Sequence, residues 1–255
     1  ATNFTTPNYA DLQSRAYSSG ARVSANSWGG GADGVYDVDA QTYDALVRDA
    51  QPAGATNAAT GNQPMIIVFA AGNDGPTATT IGSPGTAKNV ICVGAGEGVQ
   101  AFSGTDGSNV SDNGANSAND IISFSSRGPC ADGRRKPDLC APGTHISGGV
   151  PQVNSPSATG TAISCFNGEG VSGGVYPSLY WPSGQQFYTA SSGTSHSTPA
   201  IAGCCALVRQ YFINQSLPVP SPAMTKAYLM NSARYMNGTM AGDTLPSNAQ
   251  GMGEA

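Results

Sequence analysis

Ser191-Ser-Gly-Thr-Ser-His-Ser-Thr-Pro-Ala-Ile-Ala-Gly203 is the stretch on which the reading of this chain turns. A glycine-bearing loop runs into a helix whose first residues are small, so the helix can lie close to a sheet. A serine at that junction, Ser195, has its Oγ at the positive end of the helix dipole. Its own backbone N–H can point at a developing oxyanion. The same residues also suit an ordinary Ser/Thr helix cap, so the segment by itself leaves a nucleophile and a cap both open.

Upstream, Met65-Ile-Ile-Val-Phe-Ala-Ala71 is a continuous apolar run that suits a buried strand, and it stops at Gly72-Asn73-Asp74-Gly75-Pro76. Asn73 carries an uncharged side-chain N–H donor at the point where the strand turns. It can serve as a second oxyanion donor, or as a plain turn asparagine. Helical spacing covers Asp11–Ser18 (Leu12, Ala16 and Tyr17 on one side) and Asp39–Ala50 (Tyr43, Leu46 and Val47). Arg22–Trp28 and Asn89–Ala95 read as strands, and Asp120–Phe124 as a brief strand-like piece. Thr198–Phe212 and Pro222–Met236 read as helices, with Pro199 in the first turn of the former and Met224, Ala227, Tyr228 and Met230 spaced along the latter. Residues 96–193, rich in Gly, Ser, Asn, Asp and Pro, read as long surface loops. The order predicts an α/β chain with a mostly parallel sheet.

Composition narrows the function. The 255 residues carry a net charge of −5, which disfavours a nucleic-acid partner needing a basic face. No apolar run approaches the roughly 18 residues of a membrane span. Charged residues are 11% of the chain, against about 25% in typical soluble domains, and glycine reaches 34 copies. No CxxC pair exists among the six cysteines. Cys130 and Cys140 flank a turn-rich loop, and free thiols and a bridge both remain open for them. The G-x-S-x-G pattern at Gly170–Gly174 and the G-x-G-x-x-G pattern at Gly168–Gly173 are set aside, because no helix follows either one.

Four motifs in order resemble the subtilases, the subtilisin-like serine endopeptidases. They are Asn26-Ser-Trp-Gly-Gly30, Phe69-Ala-Ala-Gly-Asn-Asp-Gly-Pro76, Gly193-Thr-Ser-His-Ser-Thr-Pro199, and the run Phe124-Ser-Ser-Arg-Gly-Pro129, Asp132-Gly-Arg-Arg-Lys-Pro-Asp138 and Ala141-Pro-Gly143. Ile81–Ala87 and Gly251-Met-Gly253 also fit, and point to the large bacterial alkaline-protease branch. The resemblance implies a three-layer α/β fold with a mostly parallel sheet flanked by helices. It assigns Ser195 as nucleophile and Asn73 as oxyanion donor. Ser27, Trp28 and Gly29 become one wall of the primary specificity cleft, and Ala71 and Gly72 the other. An extended polypeptide substrate would add a strand beside residues 27–29. The resemblance further implies a secreted protein and no cofactor for the chemistry. A structural calcium would fall to Asp106, Asp112 and Asp120, or to Asp33, Asp37 and Asp39, but neither set has an EF-hand spacing, and solvated loop carboxylates are the favoured reading of both.

The family's Asp and His motifs do not occur in this chain. Of the two histidines, His196 adjoins Ser195 on a helix, where consecutive side chains diverge by about 100°, and His145 follows the Ala-Pro-Gly turn. Neither is expected to be the base. His196 reads as a packed helix-start residue and His145 as a loop or surface residue. Residues 1–255 therefore read as one partial peptidase domain, incomplete on its N-terminal side. It would hold the nucleophile and oxyanion portion, partnered by the missing N-terminal part of its own domain. A pseudoprotease scaffold and a glycan-binding module are the competing readings, separated by the upstream reading frame and by a peptide-versus-glycan binding test.

Overall fold

The structure is a computed structural model. It describes residues 7–101, 103–149, 182, 187–242 and 244–255, so the Gly168–Gly174 patterns and Cys165 lie outside the described residues. The elements run α1 (Tyr9–Ser18), β1 (Val23–Asn26), α2 (Val38–Arg48), β2 (Ile66–Ala70), β3 (Ile91–Gly96), β4 (Leu139–Pro142), β5 (Ile146–Gly149), β6 (Tyr188–Ser191), α3 (Thr194–Asn214) and α4 (Pro222–Ser232). Strands β1 to β4 form one parallel sheet in sequence order, with Ala25 beside Val68, Phe69 beside Cys92 and Gly94 beside Cys140.

The apolar run at 65–71 is continuous because β2 is covered on both faces. Ile67 and Phe69 pack with Tyr43, Leu46 and Val47 of α2, while Ile66 and Val68 pack with Ile201 and Cys205 of α3 and Leu229 of α4. The result is the expected α/β sandwich of three layers. Of the three helices on these faces, α2 and α4 are capped by a side chain, while α3 starts at Gly193 without one. Asp37 accepts from the Ala40 N–H ahead of α2, and Ser221 accepts from the Met224 N–H ahead of α4, with Pro222 at its first position.

Several expectations are corrected. Asp120–Phe124 forms no strand among the described residues, since Ile121 makes only a single bridge to Gly96. Residues 96–193 are not loop alone: they supply β4, and β5 pairs antiparallel with β6. On α1 Ala16 and Tyr17 pack against the core as expected, but Leu12 is exposed, and Gln13 and Ser14 are the fully buried residues. On α4 Thr225 and Leu229 are buried, and Met224 and Tyr228 face outward. Helix α3 begins four residues before Thr198, which puts Pro199 at its sixth position rather than in its first turn. All five described cysteines, Cys130 and Cys140 included, are free thiols.

One buried ion cluster ties the layers together. Asp138, just before β4, accepts from Lys136 Nζ at 2.7 Å and from the Cys92 N–H of β3 at 2.8 Å. Its second oxygen pairs with Lys226 Nζ of α4 at 2.9 Å. The two ammonium groups hold the Asp138 carboxyl below its ordinary range despite burial. Lys226 is pulled down to about 8, first by burial and then by the Lys136 ammonium, against the opposing Asp138 carboxylate.

Candidate active site

The ends of two strands of the parallel sheet and the start of α3 meet at one cavity of about 420 Å³. The segment after β1 contributes Ser27, Trp28 and Gly29, the segment after β2 contributes Ala71, Gly72 and Asn73, and the start of α3 contributes Thr194 and Ser195. All seven residues singled out in the sequence therefore line the same cleft. Its position, at the carboxyl ends of parallel strands, is where open α/β sheets gather ligand sites.

The cleft walls are held from behind. Trp28 stacks on Tyr9 (ring centroids 5.5 Å apart) and meets Phe69 edge-on at 5.2 Å. Asn26 Nδ2 donates to the Val68 carbonyl, fixing the end of β1 against β2. Gly30 exchanges backbone hydrogen bonds with Ser83, which closes the far side of the Trp28 segment.

The turn bearing Asn73 is braced by the Phe124–Pro129 motif. The Gly75 N–H donates to Phe124 O, the Ser126 N–H to Gly72 O, and the Asp74 N–H to Ser126 Oγ. Gly72 has φ +109°, and a Cβ there would lie 2.7 Å from Ser126 Oγ, so this position requires glycine. Gly143 allows a similarly close approach beside the start of α3. It accepts from the Gly193 N–H at 2.8 Å, and a Cβ would lie 2.4 Å from Ser197 Oγ.

Thr194 orients the Asn73 amide. Its backbone N–H and its Oγ–H both donate to Asn73 Oδ1, at 2.9 and 3.0 Å. A backbone N–H can only donate, so the atom facing it must be the amide oxygen, and Nδ2 turns outward. An ideal Cβ built on Gly193 would lie 3.6 Å from Asn73 Nδ2 and 3.6 Å from the Ser195 backbone N. Both nitrogens thus lie at the same distance from the point that a side chain at 193 would occupy, with Asn73 Oδ1 at 3.8 Å. Thr194 was inside the quoted motif but carried no independent signal; its role depends on a contact with a residue 121 positions away.

Neither histidine reaches this point. His196 Nε2 lies 2.6 Å from Ser191 Oγ, and burial holds the His196 imidazole below its ordinary pKa, with Asp106 opposing the shift. His145 is fully buried, which corrects its reading as a surface residue. Its Nδ1 and Nε2 sit 2.8 and 2.9 Å from the Gln100 and Val110 carbonyls. Among the described residues no imidazole or carboxylate is hydrogen-bonded to Ser195 Oγ.

The calcium ligand sets do not fit a cation cage. Asp106 is buried and accepts from Ser108 N, Val110 N and Ser192 Oγ, and Asp120 accepts from Ile121 N and Met240 N. Asp37 caps α2 and accepts from Ser83 Oγ, Asp39 accepts from Tyr9 OH, and Asp33 accepts from Val35 N. Among the described residues, no three His, Cys, Asp or Glu side chains group as metal ligands.

The Peptidase_S8 model, described as the Subtilase family, matches residues 1–253. The chain belongs to the subtilase family. As a subtilase it is 34% identical over 148 residues to serine protease AprX of Bacillus subtilis (strain 168), covering 57% of this chain and 26% of that protein. It is 26% identical over 315 residues to the serine protease/ABC transporter B family protein tagD of Dictyostelium discoideum, covering 94% of this chain and 16% of that protein. The subtilase chain thus spans between a sixth and about a quarter of the length of these curated relatives. Its fold is similar to that of the prenylagaramide maturation protease PagA, with a TM-score of 0.59 and 20% identity, covering 100% of this chain and 67% of that one. Membership places it in a family of subtilisin-like serine peptidases. Among its described residues no helix is long and apolar enough to cross a membrane.

Proposed function

We propose that this chain supplies the nucleophile, Ser195, and one oxyanion donor, Asn73, of a secreted serine endopeptidase acting on extended polypeptides. The observation that carries the reading is that Asn73 Nδ2 and the Ser195 backbone N lie 3.6 Å from one point beside Gly193, in a cleft that both residues line. Ser195 Oγ attacks the scissile carbonyl and gives its proton to a base. The carbonyl oxygen, now anionic, takes hydrogen bonds from Asn73 Nδ2 and the Ser195 N–H, at the positive end of α3. Collapse expels the amine with the proton returned by the base, leaving an acyl-enzyme on Ser195 that water hydrolyses. The base and its orienting carboxylate come, in this reading, from a segment outside the 255 residues, since neither His145 nor His196 faces Ser195.

The substrate lies beside Ser27, Trp28 and Gly29 as an added strand, with a side chain in the cavity between them and Ala71-Gly72. A fluorophosphonate probe tests this reading. It should label Ser195 in the full-length protein and fail on Ser195→Ala. Labelling that survives Ser195→Ala, or none at all in the full-length protein, refutes it and favours a pseudoprotease scaffold.

A further inference from the structure

In an α-helix the carbonyl of residue i accepts from the N–H of residue i+4. For Ser195 that partner would be residue 199, and residue 199 is proline, which has no N–H. The Ser195 carbonyl is therefore released from the helical ladder at the helix's own second position. Ser27 fills the gap: its Oγ–H donates to Ser195 O at 2.8 Å, across 168 residues of sequence. Ser27 is itself anchored by its neighbour, because Asn26 Nδ2 bonds the Val68 carbonyl of β2. Two hydrogen bonds from adjacent residues thus tie the segment that carries Trp28 to the sheet on one side and to the Ser195 backbone on the other.

We infer that Ser27 is a positioning residue, which fixes Ser195 relative to the substrate-binding wall through a carbonyl that Pro199 leaves vacant. The inference rests on the proposed peptidase reading. A peptide paired beside residues 27–29 lies on the same segment that holds Ser195. Its scissile bond is therefore presented to a nucleophile of fixed distance and angle, the arrangement that converts binding into rate.

A double-mutant cycle on the full-length protein tests it, reading kcat and KM separately on a peptide substrate. Ser27→Ala should lower kcat about tenfold, the scale of one hydrogen bond, with KM changed less than twofold. Ser27→Thr, which keeps the hydroxyl, should recover most of that loss. Pro199→Ala restores an N–H that takes over Ser195 O, so adding Ser27→Ala in that background should change kcat by less than twofold. The urea midpoint should follow the same pattern: Ser27→Ala lowers it beside Pro199 and not beside Ala. An equal Ser27→Ala effect in both backgrounds overturns the inference, as does a rise in KM with kcat unchanged. A wild-type protein without activity overturns the peptidase reading and the positioning role with it, and the midpoint cycle then still reports whether the bond exists.

Discussion

Asp138→Asn should be among the most damaging single-atom-scale changes in this chain. The amide keeps the shape of the carboxylate, so no cavity opens and no packing is lost. What disappears is one negative charge facing two ammonium groups, Lys136 Nζ at 2.7 Å and Lys226 Nζ at 2.9 Å, where the Lys136, Lys226 and Asp138 side chains are 3%, 17% and 8% exposed. Removing one partner of a buried ion pair costs about 3–5 kcal/mol, because the remaining charge is desolvated and uncompensated. Here two charges remain, and the cheaper escape is loss of the Lys226 proton, since that group already sits at about 8. A loss of about 3–5 kcal/mol at pH 7 is expected, shrinking as pH rises. Lys136→Met together with Lys226→Met should restore most of the stability in the Asp138→Asn background, because an all-neutral cluster leaves no unpaired charge. Urea unfolding read by tryptophan fluorescence measures this, Trp28 lying in the Tyr9–Tyr43–Phe69 cluster. A loss below about 1 kcal/mol, or no recovery in the triple variant, would refute the claim that the cluster is held by charge balance.

Other outcomes follow from the same geometry. Asn73→Leu should lower kcat of the full-length protein by about 10²–10³ with little change in KM, as measured on a peptide ester, since it removes a donor used only after attack. The 255-residue chain alone should give no burst of product from such an ester, whereas a burst would show that a base is already present. His145→Leu should cost about 2–4 kcal/mol in urea unfolding, because the Gln100 and Val110 carbonyls lose the ring nitrogens now 2.8 and 2.9 Å away. For pH, Lys226 has a folded value near 8 and an ordinary value of 10.5. Between those values the unfolded chain binds more protons, so this group's contribution to stability rises with pH there and is flat below about 8. Up to about 3 kcal/mol is involved, and the rise should vanish in Lys226→Met.

What could be read without coordinates was local. The β2 run, the α2 stripe of Tyr43, Leu46 and Val47, and the two glycine-bounded turns at Asn73 and Ser195 each announce themselves within a dozen residues. Strand β4 did not. Leu139-Cys-Ala-Pro142 is four residues long, ends in proline and offers no period, and only its register with β3 makes it a strand. Polarity misled at α1, where Gln13 and Ser14 turn inward while Leu12 is exposed. His145 does lie in the turn between β4 and β5, but its burial was not legible, because its surroundings, Gln100 and Val110, are brought to it from 45 and 35 positions away. Thr194 and Ser27 stood inside recognised motifs, yet their partners could be known only from the folded chain.

The bond from Ser27 to Ser195 closes a loop of 168 residues, and that from Thr194 to Asn73 one of 121. Loop closure on this scale is an entropic debt settled before any contact rewards it, and parallel sheets with crossovers accumulate such debts. The cleft therefore has no local precursor. Among the described residues no hairpin or single helix contains even half of it, so a partly folded molecule holds Ser195 apart from Asn73 and from the Trp28 wall. Ser195, Asn73 and the Trp28 wall therefore come together only when the sheet that carries β1 and β2 has closed.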